Sequence, residues 1–210
     1  MSPRRRFAFV LAFALLVPLP ARAAPASPPV VLVVGDSVSA GYGLAQGEVW
    51  VSLLEARLRA EKLPHRVVNA SISGDTTAGG RARLPALLKE HRPAVVVIEL
   101  GGNDALRGQP LAATRANLDA MVQAAQGAGA RVLIVGMKLP PNYGAAYVRE
   151  FDALFAEVAR ARKAGLVPYL FDGFGEDMAW FQPDRIHPTR EAQPKMLATV
   201  WPALRPLLAR

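Results

Sequence analysis

The chain has 210 residues, a net charge of +8, 51% hydrophobic and 20% charged residues, and no cysteine. These values are typical of a globular domain with a sizeable core and exclude a disordered or coiled-coil chain. The lack of cysteine excludes disulfides, cysteine-ligated metal sites and a thiol nucleophile, and three histidines leave few ligands for a His-rich metal site.

Residues 1–23 have the pattern of an export signal. Arg4-Arg5-Arg6 is followed by the apolar run 7–19, and Ala21-Arg22-Ala23 matches the small-x-small cleavage rule. The apolar run is too short to span a bilayer comfortably. We therefore expect a signal peptide at 1–23 and an exported chain, periplasmic or secreted. The alternative is an uncleaved N-terminal anchor.

The rest of the chain divides into a short Pro-rich leader at 24–29 and one domain at 30–210. Without residues 1–23, 21 Lys and Arg remain against 17 Asp and Glu, and the net charge falls to +4. The remaining basic residues are scattered, without the stripe interleaved with aromatic residues that nucleic-acid binding requires. We expect no nucleic-acid partner and at most peripheral contact with a membrane.

Short apolar runs alternate with helical patterns along this domain. The runs are apolar throughout, which is typical of strands covered on both faces; they cover 30–34, 67–70, 94–100, 132–137 and 167–171. Helical periodicity covers 48–62, 76–91, 111–128 and 145–164, and a last helix starts after Pro188, with Thr189 near its cap, and runs toward Leu208. Pro85 should start a second helical piece or kink the second helix, and Pro194 should lie in the first turns of the last one. The alternation predicts a three-layer α/β/α sandwich around a parallel sheet of five strands.

Polar, glycine-rich segments follow four of these strands, at 35–41, 71–76, 101–104 and 182–188. The carboxyl ends of parallel strands lie at one edge of the sheet, where open α/β sheets bind their ligands. This edge is the predicted site.

Three side chains at this edge suit acyl transfer. Ser37 lies on a strand-to-helix turn, but a serine hydroxyl is a weak nucleophile without a base. His187 is the histidine expected at this edge, and Asp184, three residues earlier, can orient its ring. The oxyanion of the intermediate could be bound by the backbone N–H groups of Ser37 and Gly74 and by the side-chain amide of Asn103.

Each piece also has a structural interpretation. Residues 36–37 could cap a helix, 74–76 could form a turn and a cap, 103–104 could form an Asx-turn, and 184–187 could close a loop. The position of all four pieces at one edge favours the catalytic interpretation.

The four segments resemble those of the SGNH (GDSL) hydrolases, and in particular the bacterial periplasmic thioesterase I, lysophospholipase and arylesterase group. The resemblance lies in residues 33–43 (VVGDSVSAGYG), 69–88 (NASISGDTTAGGRARLPALL), 99–108 (ELGGNDALRG) and 180–188 (WFQPDRIHP). It implies a flavodoxin-like sheet and cleavage of esters or thioesters of lipids or small aryl alcohols. It also implies a monomer without metal or organic cofactor.

By this resemblance Ser37, His187 and Asp184 would be nucleophile, base and partner, and Ser37, Gly74 and Asn103 would form the oxyanion hole. The family's mobile loop would correspond to residues 105–110, where this chain has Ala105 and Gln109 in place of a glycine and an aromatic residue common in relatives.

The acyl groove is indicated only by apolar side chains near the strand ends. Leu106, Tyr143 and Trp180 are the candidate substrate-binding residues. The alternative for Trp180, and for Leu139 nearby, is ordinary packing, because grooves and cores use the same residues.

Two other classes of function are consistent with parts of the pattern. Gly-Asp at a strand end and Gly-Gly-Asn-Asp superficially resemble the motifs of dinuclear metallophosphoesterases, but one histidine at this edge cannot supply the ligands for paired metals. A non-catalytic exported binding module could keep the fold, since fold alone does not imply activity. The presence of Ser37, Asn103 and His187 favours an enzyme.

Overall fold

The computed structural model describes residues 27–209. Its five strands, β1 (Val30–Gly35), β2 (Arg66–Asn69), β3 (Val95–Glu99), β4 (Arg131–Val135) and β5 (Gly165–Val167), form one sheet in the order β2-β1-β3-β4-β5. All four strand pairings are parallel. This is the flavodoxin-like order, so the predicted fold class is confirmed. The predicted signal peptide at 1–23 lies outside the described residues.

Helices cover both faces of the sheet. Within residues 27–209 they are α1 (Ser37–Ala40), α2 (Trp50–Ala60), α3 (Thr77–His91), α4 (Gly102–Leu106), α5 (Leu111–Gly127), α6 (Ala145–Arg162) and α7 (Gln193–Leu208). Side chains of α3, α5 and α6 share one apolar cluster on one face, and those of α2 and α7 share a second cluster on the other face. The sheet is therefore the middle of three layers.

The apolar residues run without interruption along the central strands because both faces of the sheet are buried. In β1, Val30, Leu32 and Val34 belong to the cluster with α3, α5 and α6, whereas Val31 and Val33 belong to the cluster with α2 and α7. Alternate residues of a strand point to opposite faces, so a strand between two helical layers needs an apolar residue at every position.

The fifth strand lies earlier in the chain than predicted. Residues 168–171 form a bend followed by a turn instead of a strand, since Pro168 has no N–H to continue the ladder. Leu170 and Phe171 are nevertheless buried, in the cluster with α2 and α7. Their apolar character reports burial in the core and not an extended backbone.

The helices also differ in places from the sequence prediction. Helix α3 runs unbroken through Pro85, so no second helical piece begins there. A 3₁₀ turn at Arg190–Ala192 precedes α7, which has Pro194 in its first turn as expected. The short helices α1 and α4 were not predicted, because four or five residues are too few to show a helical period.

Candidate active site

The candidate site lies where the order of the strands reverses. β1 pairs with β2 on one side and with β3 on the other, so the connections that leave β1 and β3 diverge at their carboxyl ends. Ser37 follows β1 and Asn103 follows β3. Ligands of open α/β sheets bind at this switch point.

A tight turn between β1 and α1 presents Ser37. Asp36 is the N-cap of α1, and its Oδ1 accepts a hydrogen bond from the N–H of Val38 at 3.0 Å. The helix ends after one turn at Gly41, whose φ of +83° is left-handed. A Cβ at Gly41 would lie 2.1 Å from Val49 Cγ2, so this position requires glycine. Because Asp36 provides the cap, the Ser37 hydroxyl is available for another partner.

That partner is His187. Ser37 Oγ and His187 Nε2 are 2.8 Å apart, and His187 Nδ1 and Asp184 Oδ2 are 2.7 Å apart. A carboxylate only accepts hydrogen bonds, so Nδ1 carries the imidazole proton and Nε2 accepts from the Ser37 hydroxyl. The three groups form one hydrogen-bonded chain.

Asp184 has two kinds of partner. Its Oδ1 accepts from the N–H groups of Ile186 at 2.9 Å and His187 at 3.0 Å, while its Oδ2 binds the imidazole. Burial raises the pKa of Asp184, but these hydrogen bonds outweigh it and lower the pKa to about 2. Asp184 thus closes the loop and also orients the ring, so the structural and catalytic interpretations of 184–187 are compatible.

Asn103 and Gly74 reach this edge from the two neighbouring connections. Asn103 Nδ2 donates to Asp36 Oδ2 at 3.0 Å, which ties its amide to the residue before Ser37. Gly74 lies in the connection after β2 with φ +78°, and its carbonyl accepts from Arg107 Nη2 at 2.9 Å. In the same connection the N–H of Ile72 donates to Gly35 O at 3.0 Å.

The structural alternatives for these two segments have different outcomes. The turn and cap at 74–76 are present: Asp75 N–H donates to Ile72 O, and Thr76 caps α3 through the N–H of Gly79. The Asx-turn at 103–104 is wrong, because both residues lie in α4. Asp104 is buried and accepts from the backbone N–H of Thr77 at 2.9 Å and from its hydroxyl.

A fully buried carboxyl that is bonded to Ser39, two residues after Ser37, was missed by the sequence analysis. Glu99, the last residue of β3, has no exposed surface, and its Oε2 accepts from Ser39 Oγ at 2.7 Å. Ser39 Oγ in turn accepts from Trp50 Nε1 at 3.2 Å. The available signal was a single acidic residue in an otherwise apolar strand. A carboxyl buried in this way needs a polar partner, because burying an unpaired polar group costs free energy.

Asp36, Ser39 and Glu99 form an inner region of the site, and burial dominates its electrostatics. It raises the pKa of Glu99 well above its ordinary value, and the nearby Asp36 carboxyl raises it further. Burial also raises the pKa of Asp36 to about 6, although hydrogen bonds from Val38 and Asn103 and the nearby His187 act against it. The inner carboxyls are therefore held toward their neutral forms.

The candidate substrate-binding residues occupy different environments. Leu106 and Tyr143 are exposed on the connections after β3 and β4. Trp180 packs against the cluster with α2 and α7, and Lys195 Nζ lies 4.4 Å from the centre of its ring. Leu139 is buried in the other cluster. Trp180 and Leu139 thus have the contacts expected of packing residues.

Two further features concern metals and membranes. Among residues 27–209, no group of three or more His, Asp or Glu side chains is arranged to hold a metal ion. No helix in this described part of the chain is long and apolar enough to cross a bilayer.

Comparisons with known proteins agree with the fold and with the resemblance of the motifs. The model of the GDSL-like Lipase/Acylhydrolase family matches residues 33–193. The chain is 54% identical over 177 residues to Esterase TesA of Pseudomonas aeruginosa, covering 84% of this chain and 88% of that protein. It is 41% identical over 202 residues to Thioesterase 1/protease 1/lysophospholipase L1 of Escherichia coli strain K12, covering 96% and 95%.

A similar solved structure is the psychrotrophic esterase EstA from Pseudoalteromonas sp., inhibited by monoethylphosphonate. Its TM-score with this chain is 0.81 at 37% sequence identity, covering 85% of this chain and 98% of EstA.

Proposed function

Since the chain belongs to the GDSL-like lipase/acylhydrolase family of ester hydrolases, we propose that it cleaves carboxylic esters and thioesters through an acyl-enzyme on Ser37. His187 is the general base, and Asp184 orients it. The observation that carries this proposal is the continuous chain of short hydrogen bonds from Asp184 to His187 to Ser37, at 2.7 and 2.8 Å. This is the arrangement that activates a serine hydroxyl.

The reaction proceeds in two half-reactions. Ser37 Oγ attacks the carbonyl carbon of the substrate while His187 Nε2 takes its proton, and a tetrahedral oxyanion forms. The carbon–oxygen or carbon–sulfur bond then breaks, and His187 protonates the leaving alcohol or thiol. Water attacks the acyl-enzyme in the same way, releasing the acid and returning the proton to Ser37.

The oxyanion hole consists of the backbone N–H groups of Ser37 and Gly74 and the amide of Asn103. One N–H of Asn103 Nδ2 is used by Asp36, and the second N–H of the same nitrogen remains for the oxyanion. Loss of one such donor costs about 3 kcal/mol of transition-state stabilisation.

The substrates we propose are small-molecule esters and lipid esters or thioesters. The names of the relatives, which include esterase, thioesterase and lysophospholipase, support this range. Leu106 and Tyr143 are exposed on the connections after β3 and β4 and are the first candidates to contact an acyl chain. Trp180, which packs against the cluster with α2 and α7, is the third. The segment 105–110, at the end of α4, is the candidate loop over the acyl group.

We propose that the chain is exported and acts as a monomer in the periplasm or the medium. The support is the basic start, short apolar run and Ala21-Arg22-Ala23 of residues 1–23. Mass spectrometry of the protein recovered from outside the cytoplasm should find Ala24 as the N-terminal residue. An intact Met1 would contradict cleavage.

The test of the mechanism is the substitution Ser37→Ala. Turnover of p-nitrophenyl esters and of an acyl thioester should fall by at least about 10⁴-fold in kcat, because no nucleophile remains. A p-nitrophenyl alkylphosphonate should add its phosphonyl mass to the wild-type chain and not to this variant. Ser52→Ala, in α2 away from the site, is the matched control and should keep both properties.

The melting temperature decides the interpretation of a lost activity. If Ser37→Ala melts like the wild type and is inactive, Ser37 acts in the chemistry. If it retains turnover, the proposed mechanism is wrong. If it loses activity and melting temperature together, Ser37 has a structural role.

A further inference from the structure

Ser37 and His187 lie 150 positions apart in the sequence, on two separate segments, yet their side chains are 2.8 Å apart. Asp184 cannot account for this closeness, because it lies on the same loop as His187 and bonds only within that loop. It orients the ring relative to the loop, but another group must hold the loop against the segment that carries Ser37.

We propose that Gln182 is this positioning residue, an inference that rests on the function proposed above. Its side-chain Nε2 donates two hydrogen bonds, to Tyr42 O at 2.8 Å and to Pro188 O at 3.1 Å. Tyr42 belongs to the Ser37 segment, and its own N–H donates to Ser37 O at 3.0 Å. Pro188 directly follows His187. One planar amide therefore binds both segments at once, and its fixed N–H directions set their separation.

The backbone of Gln182 is also anchored to the His187 loop. Its N–H donates to His187 O at 2.8 Å, and its carbonyl accepts from Arg185 N–H at 2.8 Å. An antiparallel bridge pairs Phe181 with Pro188. The residue that reaches across to Tyr42 is thus rigidly attached to the residue that it positions.

A glycine on the Ser37 segment gives the amide its access. Gly43 has a φ of +75°, and a Cβ there would lie 2.2 Å from Gln182 Oε1. The amide packs directly on backbone that carries no side chain. On the neighbouring surface, the ring of Tyr42 lies 4.4 Å from the ring of His187, so the same two segments also meet at the base itself.

This arrangement predicts a specific kinetic defect. A displacement of about 1 Å between reacting groups can cost about 10²-fold in rate. Loss of the two hydrogen bonds from the Gln182 side chain should therefore lower kcat by about 10- to 100-fold with little change in KM. Gln182→Met keeps nearly the same size and removes both donors. Gln182→Glu keeps the shape, and its carboxylate cannot donate to either carbonyl.

The experiment measures kcat, KM and the phosphonylation rate of Ser37 in both Gln182 variants, with the melting temperature. Gln126→Ala is the control, because Gln126 Nε2 also donates to a backbone carbonyl, Arg162 O at 2.8 Å, between α5 and α6. Both Gln182 variants should lose kcat and phosphonylation rate by the same factor. Their melting temperatures should fall by no more than about 4 °C, as in the control, which keeps its kcat.

Proton NMR separates positioning by Gln182 from orientation by Asp184. The downfield resonance of the His187 Nδ1 proton reports the bond to Asp184 within the loop. It should persist in Gln182→Met and disappear in Asp184→Asn.

Three results would overturn the proposal: wild-type kcat in both variants, a rise in KM at unchanged kcat, or loss of the Nδ1 resonance in Gln182→Met. Wild-type activity in Ser37→Ala would instead overturn the proposed function on which this inference rests, so the two failures are distinguishable.

Discussion

Two aspartates flank the Ser37–His187 pair in opposite surroundings. Asp36, at the end of β1, is 4% exposed, and burial raises its pKa to about 6. The side chain of Asp184 is 35% exposed; burial raises its pKa too, but the hydrogen bonds from His187 and Ile186 N–H outweigh it and lower the pKa to about 2. The pKa values of two identical carboxyls thus shift in opposite directions, because burial penalises the ion and hydrogen-bond donors stabilise it.

The two regions are also built differently. The inner region of Asp36, Ser39 and Glu99 joins the ends of β1 and β3 to α2 inside the core. The outer region is a loop in which Asp184 bonds to residues two and three positions away. We expect substitutions in the outer region to affect catalysis and substitutions in the inner region to affect stability.

Between these two regions, the largest effect is expected from Asp184→Asn. The amide can still cap the loop through its oxygen but no longer favours the imidazole with its proton on Nδ1, so kcat should fall by about 10³- to 10⁴-fold. Asp177→Asn is the matched control, since Asp177 Oδ1 accepts from Ala179 N–H at 3.0 Å in a nearby exposed turn. A melting temperature lowered more in Asp184→Asn than in the control would break the contrast between the regions.

A smaller effect, on stability, is expected from Glu99→Ala. The substitution leaves a cavity and removes the acceptor of the Ser39 hydroxyl, which should cost about 2–4 kcal/mol of unfolding free energy in urea. Glu99→Gln keeps the volume and an acceptor oxygen and should lose less. Glu90→Ala, at an exposed carboxyl of α3, should change little. Equal unfolding free energies for Glu99→Ala and Glu90→Ala would show that the inner network is not structural.

The smallest effect is a pH dependence of opposite sign in the two regions. Asp36 and Glu99 have raised pKa values, so above about pH 4 the folded chain holds protons that the unfolded chain has released, and stability falls as pH rises. For Asp36 this window ends near pH 6, and for Glu99 it extends higher. Asp184 has a lowered pKa, so its contribution is present above about pH 4 and is lost as pH falls toward 2.

Urea unfolding from pH 3 to 8 tests these signs. Each inner carboxyl can lower stability by at most about 1.4 kcal/mol per pH unit. Glu99→Gln should flatten the decline at higher pH, and Asp184→Asn should flatten the loss below pH 4. An unchanged profile in Glu99→Gln would mean that Glu99 is ionised in the folded chain.

The sequence predicted those parts of the fold in which a pattern of neighbouring residues corresponds to a single type of secondary structure. Continuous apolar runs marked the strands because both faces of the sheet are covered. The same signal misplaced β5, since residues 170–171 are apolar for packing and not for pairing. The candidate Ser37, His187 and Asp184 were predictable because parallel strands bring their ends to one edge, and the structure places these three within hydrogen-bond distance. Their catalytic roles remain proposals.

The sequence by itself determined the alternation of strands and helices along the chain, the family, and the edge of the sheet at which the polar segments meet. Each of these depends on residues close together in the chain or on motifs that can be read directly. Only the tertiary structure decided that Glu99 is buried and bonded to Ser39, that burial raises the pKa of Asp36, and that Gln182 spans two segments. These three properties depend on desolvation and on contacts between residues 60 to 140 positions apart, and no local pattern of residues specifies either. The lowered pKa of Asp184, by contrast, comes from partners two and three positions away.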